Sequence, residues 1–393
     1  VTGPTGGRIG EMTATTSLVT GGNGFIGRHL VRLLVERGER VRALDLEDGT
    51  PTNPEVEVIK GSICDQETVR EALSGVHRLY HLAANPYLWT PRKADYLEVN
   101  FHGTRTVLET AARFDLERIV YTSTESILVG HHHHPAAATG QEPAEPRLED
   151  MPGPYCRSKY LAEGEAHKAA RRGQPVVIVN PTLPVGPGDH RLTPPTSMIL
   201  TFLNGEAPAY LDCEFNMIDV RDAALGHILA AETGQAGQRY ILGNENWRLN
   251  ALLGFLEECT GLTMPRLKVP YWLALTTGAV SEFVADHLTR KPPIAPLTGV
   301  RLARTPMTFD CAQTTRELGL PQTPIRESLA DAVAWLHSQG LIRRQIRRQP
   351  ADRAAARPHW SGPQHQPANP RERDRIGQQR NSQRPTGSRR LPM

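Results

Sequence analysis

Short apolar runs alternate with longer segments of helical periodicity along the first half of the chain. Between the runs, apolar side chains recur every three or four positions, as they do on one face of a helix. The predicted strands are Ser17–Thr20, Arg40–Asp45, Val56–Lys60, Arg78–Ala84, Ile119–Thr122 and Val176–Val179, and the predicted helices are Phe25–Glu36, Ala94–Phe114 and Tyr155–Arg171. Strands that alternate with helices predict an α/β fold with a doubly wound parallel sheet.

The pattern changes after Asn180, where prolines become frequent and the remaining periodicity is helical. We expect helices near 198–204, 220–231, 251–260 and 326–338, and a long apolar stretch from Val269 to Val284. This region predicts a smaller, mainly helical substrate domain, interleaved with the end of the sheet. The expected organisation is a disordered N-terminus (1–15), a cofactor-binding domain (16–180), a substrate-binding region (181–340) and a disordered basic tail (341–393).

A glycine-rich turn follows the first strand, in the sequence Thr-Gly-Gly-Asn-Gly-Phe-Ile-Gly. In a turn between a strand and a helix, Gly21 permits the sharp bend, and Gly24 lets the backbone approach a pyrophosphate. Gly27 allows close packing of the helix on the strand. The helix N-terminus offers amides and a positive dipole end to the phosphates. The turn therefore predicts a dinucleotide on a Rossmann sheet.

Asp45 ends the second strand, 18 residues after Gly27. A carboxylate at this place can accept hydrogen bonds from the adenosine ribose and repels a 2′-phosphate. We therefore expect NAD, with NADP less favoured, although Arg42 is near in sequence and could change that balance.

Tyr155 and Lys159 are one helical turn apart and so share a helix face. The ordinary pKa of tyrosine, near 10, is too high for a good base, and a lysine charge beside it favours the phenolate. Lys159 can also hold the nicotinamide ribose. A hydroxyl from the triplet Thr122-Ser123-Thr124 at the end of the fifth strand is expected to share the substrate oxygen with the tyrosine.

Together these residues resemble the extended short-chain dehydrogenases/reductases, that is, the NAD-dependent epimerase/dehydratase family, over about residues 16–340. Within it, Val179-Asn180-Pro181-Thr182 and Arg239-Tyr240-Ile241-Leu242-Gly243 are most similar to hopanoid-associated sugar epimerases and dihydroflavonol reductase-like proteins. The resemblance implies Thr124 as the catalytic hydroxyl, with Ser123 as the fallback, and Asn100 as a support of the active-site helix. The cofactor residues that it implies, with those argued above, are Gly21, Gly24, Phe25, Ile26, Gly27, Asp45, Ser62, Ile63, Leu82, Ala83, Ala84, Asn100, Thr122, Tyr155, Lys159, Pro181 and Thr182.

Two departures from the family pattern bear on cofactor and substrate. Ser62 stands where the family usually has an aspartate beside the adenine. Phe215 stands where nucleotide-sugar epimerases typically carry an arginine that grips the substrate pyrophosphate. Leu88, Trp89 and Tyr210 suggest an apolar, aromatic pocket wall, although packing in the core explains them equally well.

Three functions therefore remain open from the sequence. An epimerase would retain NAD and return the hydride to the other face of a ketone intermediate, whereas a reductase or 3β-hydroxysteroid/dihydroflavonol-type dehydrogenase would exchange its cofactor in each turnover. The third is a cofactor-sensing regulatory protein. The expected partners are a small alcohol, ketone or sugar substrate and a second copy, through the helices at 94–114 and 155–171.

The composition of the chain bears on its cellular location and on the nature of its C-terminal segment. The chain has 393 residues, 39% of them hydrophobic, and shows neither a secretory signal pattern nor an apolar run of membrane-spanning length, so a cytoplasmic location is expected. We expect no disulfide framework from the five scattered cysteines, and no metal site, because the run His131–His134 is expected to be a solvated loop. Residues 341–393 hold thirteen arginines and three acids. A disordered extension is expected there, the alternative being an arm for nucleic acid or anionic membrane.

Overall fold

A parallel sheet of seven strands lies at the centre of the computed structural model, which describes residues 14–47, 55–128 and 146–346. Its strands are β1 (Thr16–Thr20), β2 (Arg40–Asp45), β3 (Val56–Lys60), β4 (Arg78–His81), β5 (Arg118–Thr122), β6 (Val176–Pro181) and β10 (Arg239–Leu242), in the order β10-β6-β5-β4-β1-β2-β3. All neighbours are parallel. The predicted doubly wound α/β sheet is confirmed.

The strand order reverses between β1 and β4, which are neighbours although two strands separate them in the chain. In doubly wound sheets, a crevice for ligands opens at this reversal, outside the carboxyl ends of the strands. The glycine turn after β1 and the loop after β4 meet there, since a Cβ at Gly21 would lie 2.8 Å from the amide nitrogen of Ala83.

Helices cover both faces of the sheet, and apolar side chains fill the two interfaces. The helices are α1 (Phe25–Glu36), α2 (Gln66–Leu73), α3 (Thr104–Ala111), α4 (Pro154–Arg171), α5 (Pro194–Leu203), α6 (Val220–Thr233), α7 (Leu249–Thr260), α8 (Tyr271–Val284), α9 (Leu297–Leu302), α10 (Ala312–Leu318) and α11 (Ile325–Ser338). Helices α1 and α6 pack on one face, and α3 and α4 on the other. All six side chains of β6 are buried, as expected for a strand covered on both sides.

The second half of the chain adds small sheets and helices beside the carboxyl edge. One sheet is β11 (Glu245–Arg248), β9 (Glu214–Asp219) and β7 (Leu183–Val185), and another is β12 (Leu267–Lys268) with β8 (Ala209–Tyr210). The predicted smaller, mainly helical C-terminal region is confirmed. Strand β10 returns to the central sheet beside β6, and the domain boundary at residue 180 stays a prediction.

Three details differ from the sequence-based expectations. Strand β4 ends at His81 rather than at Ala84, because the chain turns at the crevice. The helix expected at 94–114 is a π-helix, Tyr96–Gly103, followed directly by α3. The expected tail begins too early, since residues 341–346 pack on the body: Ile342 is buried and Arg344 donates to the carbonyl of Leu203.

Several expectations lie outside the described residues. These are most of the N-terminal segment, the run His131–His134 and the basic tail from residue 347. Among the helices that the structure does describe, none combines the length and the hydropathy of a membrane span.

Candidate active site

The glycine turn forms a backbone cradle at the start of α1. Gly21 has a φ of +72°, which favours glycine, and its carbonyl accepts a hydrogen bond of 2.9 Å from the amide of Gly24. A Cβ at Gly27 would overlap the carbonyl oxygen of Gly21. Gly24 caps α1 without a side-chain hydrogen bond, so the first amides of the helix are free of a side-chain cap. The cradle fits a dinucleotide pyrophosphate, as the sequence predicts.

Asp45 is buried at the end of β2 and is bound from three sides. Its carboxylate accepts hydrogen bonds from the amides of Asn23 (3.1 Å) and Leu46 (2.8 Å). The guanidinium of Arg191 forms an ion pair with it at 3.1 Å. Arg42, which the sequence raised as a modifier, instead pairs with Glu57 and binds the carbonyls of Ala72 and Ser74. The base beside Asp45 is therefore Arg191, from the loop after β7.

The remaining expected cofactor residues line the same edge. The amide of Ala83 binds the hydroxyl of Thr20 at 3.2 Å, which holds the loop after β4 against β1. On the other side of β2, the Ser62 hydroxyl accepts from the amide of Cys64, and Ile63 is buried. The others line up as follows: Phe25 is buried and Ile26 half-buried at the start of α1, Leu82 and Ala84 are half-buried after β4, and Pro181 and Thr182 are buried at the end of β6.

Tyr155 lies at the start of α4, where Pro154 occupies the first helical turn. Its phenol is buried, which raises the pKa above the ordinary value, and a hydrogen bond with the Thr124 side chain partly offsets this rise. The Thr124 hydroxyl also lies 2.9 Å from Glu125 Oε2. The Ser123 hydroxyl, by contrast, approaches Tyr121 and Glu163. The geometry therefore favours Thr124 over Ser123 as the partner of Tyr155.

Glu125 is a buried carboxyl that the sequence did not single out. Burial raises its pKa, while hydrogen bonds with Thr124 and Ser126 act in the opposite direction. Its position directly after the hydroxyl triplet is the signal that could have found it. A neutral Glu125 can donate a hydrogen bond to Thr124 and leave the threonine hydroxyl free to donate toward Tyr155 or a substrate oxygen.

Lys159 is buried one turn after Tyr155. Its ammonium donates to the carbonyl of Thr122 at 2.8 Å and to the phenol of Tyr121 at 3.2 Å, and it lies 4.9 Å from the centre of the Tyr121 ring. Burial lowers its pKa to about 8, and the charge of Glu163 works against that decrease. Lys159 is thus predominantly cationic at neutral pH.

Glu163, one turn further, completes a stripe of buried polar side chains on one face of α4. Its carboxylate pairs with Arg239 of β10 and accepts a hydrogen bond of 3.0 Å from the amide of Asn180. Its pKa falls to about 2: burial acts to raise it, but hydrogen bonds with His167 and Asn180 and the charge of Arg239 outweigh burial. Asn180 also donates to the carbonyl of Thr124 at 2.9 Å, which ties this network to the partner of Tyr155.

Asn100 connects the π-helix to both the crevice loop and α4. Its amide nitrogen donates to the Ser158 hydroxyl (3.0 Å) and to the carbonyl of Asn85 (3.2 Å), and its oxygen accepts from the Asn85 amide (2.7 Å). Asn100 thus contacts α4, the helix that the resemblance implies it supports, and this role stays a prediction. The Thr122 hydroxyl is bound to His227 at 2.9 Å, so Thr122 offers its carbonyl, rather than its side chain, to the site.

The model of the NAD-dependent epimerase/dehydratase family matches residues 17–243, which include the glycine turn, the hydroxyl triplet and α4. The chain belongs to this family. It is an NAD(P)-dependent enzyme of the short-chain dehydrogenase/reductase type, so the regulatory hypothesis is set aside. Among the described residues, no group of three or more His, Cys, Asp and Glu side chains is arranged to hold a metal ion.

Relatives match this chain over most of its length. A Synechocystis protein provisionally named dihydroflavonol 4-reductase is 40% identical over 83% of this chain and 96% of its own length. Sterol demethylase protein B of Methylococcus capsulatus is 34% identical over 83% of this chain and all of its own. The crystal structure of gox2253 has a TM-score of 0.71 and 32% identity over 83% of this chain and 99% of that one.

Proposed function

We propose that this enzyme is an NAD(H)-dependent reductase or dehydrogenase of a largely apolar ketone or secondary alcohol. The observation that carries the proposal is that Tyr155 meets the Thr124 hydroxyl inside an apolar cluster. The side chains that Tyr155 shares this cluster with include Tyr96, Leu128, Met151, Tyr210 and Phe215. A substrate oxygen can bind the two hydroxyls, while the rest of the substrate lies against apolar surface.

In the direction of reduction, Tyr155 donates its proton to the oxygen of the ketone as that oxygen gains negative charge. Thr124 binds the same oxygen and orients it. Lys159 stabilises the resulting phenolate through its field, since its hydrogen bonds within the described residues go to Tyr121 and Thr122. When bound, the nicotinamide supplies or accepts the hydride, and the glycine cradle and Asp45 are the residues that would hold its dinucleotide.

Phe215 supports an apolar substrate over a nucleotide sugar. It is buried in β9, at the position where the resemblance to nucleotide-sugar epimerases implies an arginine that grips the substrate pyrophosphate. Three names among the relatives also refer to such substrates: a dihydroflavonol, a sterol and, in Stenotrophomonas maltophilia, a 2-alkyl-3-oxoalkanoate, whose reductase is 30% identical.

Epimerisation remains the second candidate because of Arg191. Its side chain pairs with Asp45, and its carbonyl accepts a hydrogen bond of 3.0 Å from the phenol of Tyr87. These contacts connect the loop after β7 with both sides of the cofactor edge. A cofactor held beneath such a connection would leave slowly, as an epimerase requires.

Cofactor analysis and turnover assays separate the two candidates. One sample of the purified protein is denatured, and the released cofactor is measured by absorbance and mass. A second, native sample is assayed for turnover with NADH and apolar ketones, and with a nucleotide sugar. We expect little retained cofactor, and net oxidation of NADH with apolar ketones at a rate that Tyr155→Phe lowers by roughly 10²-fold or more. Stoichiometric retained NAD, with turnover of a nucleotide sugar and no net NADH change, would reject the proposal in favour of epimerisation.

We also propose a homodimer through the outer faces of α3 and α4. The resemblance implies this arrangement, and both helices expose polar residues away from the sheet. Sedimentation velocity at several concentrations tests it. A concentration-independent monomer would contradict it.

A further inference from the structure

Exposed apolar side chains concentrate in one short part of the chain. Of the eleven large hydrophobic side chains that are exposed within the described residues, seven lie between positions 267 and 294. Six of them are between 60% and 91% exposed, and the five of these that lie on α8 or after it define what we call the apolar patch: Trp272, Val280, Phe283, Leu288 and Ile294. A concentration of this kind on a folded protein marks an interaction surface rather than scattered surface residues.

The patch lies along one side of α8 and its continuation. Trp272, Val280 and Phe283 are spaced at 8 and 3 positions, which places them on one helix face. Gly278 is the buried residue of the helix, and it packs on the opposite side, near Val300. The helix therefore presents an apolar stripe on its exposed side, and no other residue of α8 covers this stripe.

Charge around the patch is positive at both ends. Arg290 and Lys291 follow the C-terminal end of α8, and the guanidinium of Arg304 lies over the Tyr271 ring at the N-terminal end, 5.6 Å from its centre. None of these three bases has an acidic partner among the residues that the structure describes.

The two acids of this segment face the protein body instead. Glu282 and Asp286 both pair with Lys93, at 3.2 Å, and Asp286 also accepts from the indole of Trp89. The outer face of α8 is therefore apolar and uncharged, between basic ends.

We propose that the apolar patch docks on an anionic phospholipid surface. A helix that lies in a membrane interface combines a Trp- and Phe-bearing apolar face with basic residues that meet anionic headgroups, and this segment has both. A second copy fits less well, because a two-fold pairing of α8 would bring the basic ends of the two copies together.

Docking would place the substrate side of the enzyme beside the lipid. Gly299 of α9 packs on Leu88 of the crevice loop, and Arg301 donates to the carbonyl of Pro152, three residues before Tyr155. The patch and α9 thus belong to one segment of the chain, and this segment packs beside the N-terminal end of α4. The proposal does not depend on which alcohol the enzyme uses.

Vesicle binding tests the proposal with the full chain. Vesicles of equal parts phosphatidylglycerol and phosphatidylcholine are mixed with the protein and sedimented. We expect binding that falls by at least about tenfold in the triple variant Trp272→Ser, Val280→Ser, Phe283→Ser. Leu97→Ser, an exposed leucine outside the patch, serves as the matched control and should bind like the original chain. Arg290→Glu with Lys291→Glu should weaken binding and reduce its salt dependence.

Two further measurements keep the result decisive. Melting temperature and NADH binding show whether the triple variant is folded. If the triple variant is not folded, the original chain is mixed with vesicles of brominated lipid. The proposal then requires that the lipid quench the part of the tryptophan fluorescence that is missing in Trp272→Phe. Because every variant keeps the basic tail, unchanged binding by a folded triple variant would assign any binding to the tail and overturn the proposal. So would no vesicle binding at all, or a dimer that the triple variant converts to monomer.

Discussion

Helix α4 buries polar and charged side chains, whereas helix α8 exposes large apolar ones. On α4, Tyr155, Lys159 and Glu163 are all less than 10% exposed, and each has a partner from another element. On α8, Gly278 is the buried residue, and Trp272 and Phe283 face outward. Both helices depart from the ordinary preference for buried apolar and exposed polar residues.

The two departures differ in what compensates them. A buried charge is tolerated when hydrogen bonds and an opposite charge surround it, so the cost on α4 is met inside the molecule. The stripe on α8 has no such compensation within the described residues, and this is the observation behind the proposed lipid surface. The comparison suggests that chemistry resides on the first helix and association on the second.

The largest effect is expected at Tyr155, which we propose as the proton donor. Tyr155→Phe removes the donated proton and keeps the ring, so kcat should fall by roughly 10²–10⁴-fold while NADH still binds. Steady-state turnover and calorimetry measure the two quantities. Tyr160→Phe, on the same helix, is the control. Equal kcat values for Tyr155→Phe and the original enzyme would show that this phenol is not the proton donor.

Glu163→Gln should separate charge from shape on α4. The Glu163 carboxylate raises the pKa of Lys159, which is about 8. Without that charge, the pKa of Lys159 falls further, and the alkaline limb of the kcat profile moves to lower pH. The free energy of unfolding should also fall by about 2–3 kcal/mol, because Arg239 loses its partner but is partly solvated. Glu165→Gln is the matched control, and an alkaline limb at the same pH in both variants contradicts the assignment.

Lowering the pH should reduce the free energy of unfolding, because histidines in and beside the central sheet are buried in the neutral form. Burial lowers the pKa of His29 and His227 to about 4 and that of His81 to about 3. The unfolded chain takes up protons below about pH 6.5, whereas the folded chain does so only near pH 3–4. Stability should therefore decline as pH falls through this window, by about 1 kcal/mol for each histidine between pH 7 and 5.5. Urea unfolding measures it, and a free energy that stays constant over this range would be inconsistent with the three buried neutral rings.

The cofactor edge should respond to its two opposite charges in opposite directions. Asp45→Ala should narrow the preference for NADH over NADPH by about threefold to tenfold, because repulsion of the 2′-phosphate is lost. Arg191→Ala should widen that preference by a similar factor, since it removes the base beside Asp45. Calorimetry with both cofactors measures the ratio. Movement of both variants in the same direction would contradict this account of the edge.

The smallest effect is expected on α8. Phe283→Ser exchanges a solvent-exposed ring for a hydroxyl, so the free energy of unfolding should change by less than about 0.5 kcal/mol. Urea unfolding of this variant, beside Phe255→Ser in the core, makes the contrast quantitative. A loss of several kcal/mol for Phe283→Ser would show that the ring is covered within the molecule.

The sheet and the place of Tyr155 and Lys159 on one face of a helix could be predicted because their signals are local. The bounds of strands β2 and β3 and of helix α1 agree to the residue with those predicted from the apolar periodicity. The spacing of the glycines by itself indicates a tight turn between a strand and a helix. The resemblance named Asn100 and Thr124, and the structure places both beside α4.

The missed features depend on contacts between distant segments. Arg191 meets Asp45 across 146 residues, and Arg239 meets Glu163 across 76. No periodicity reports such pairs. The sequence shows Val269–Val284 as a long apolar stretch, and only the fold shows that large apolar side chains of this stretch are exposed.

The proposed reduction of an apolar ketone by NADH, with Tyr155 as the proton donor, is tested most directly by following the hydride itself. The apolar ketone with the highest turnover is reduced with NADH deuterated at the reactive position of the nicotinamide, and the alcohol is analysed by mass spectrometry. We expect one deuterium on the carbinol carbon, incorporated at a rate that Tyr155→Phe lowers by roughly 10²-fold or more. An alcohol without deuterium, or one formed equally fast by Tyr155→Phe, would contradict it.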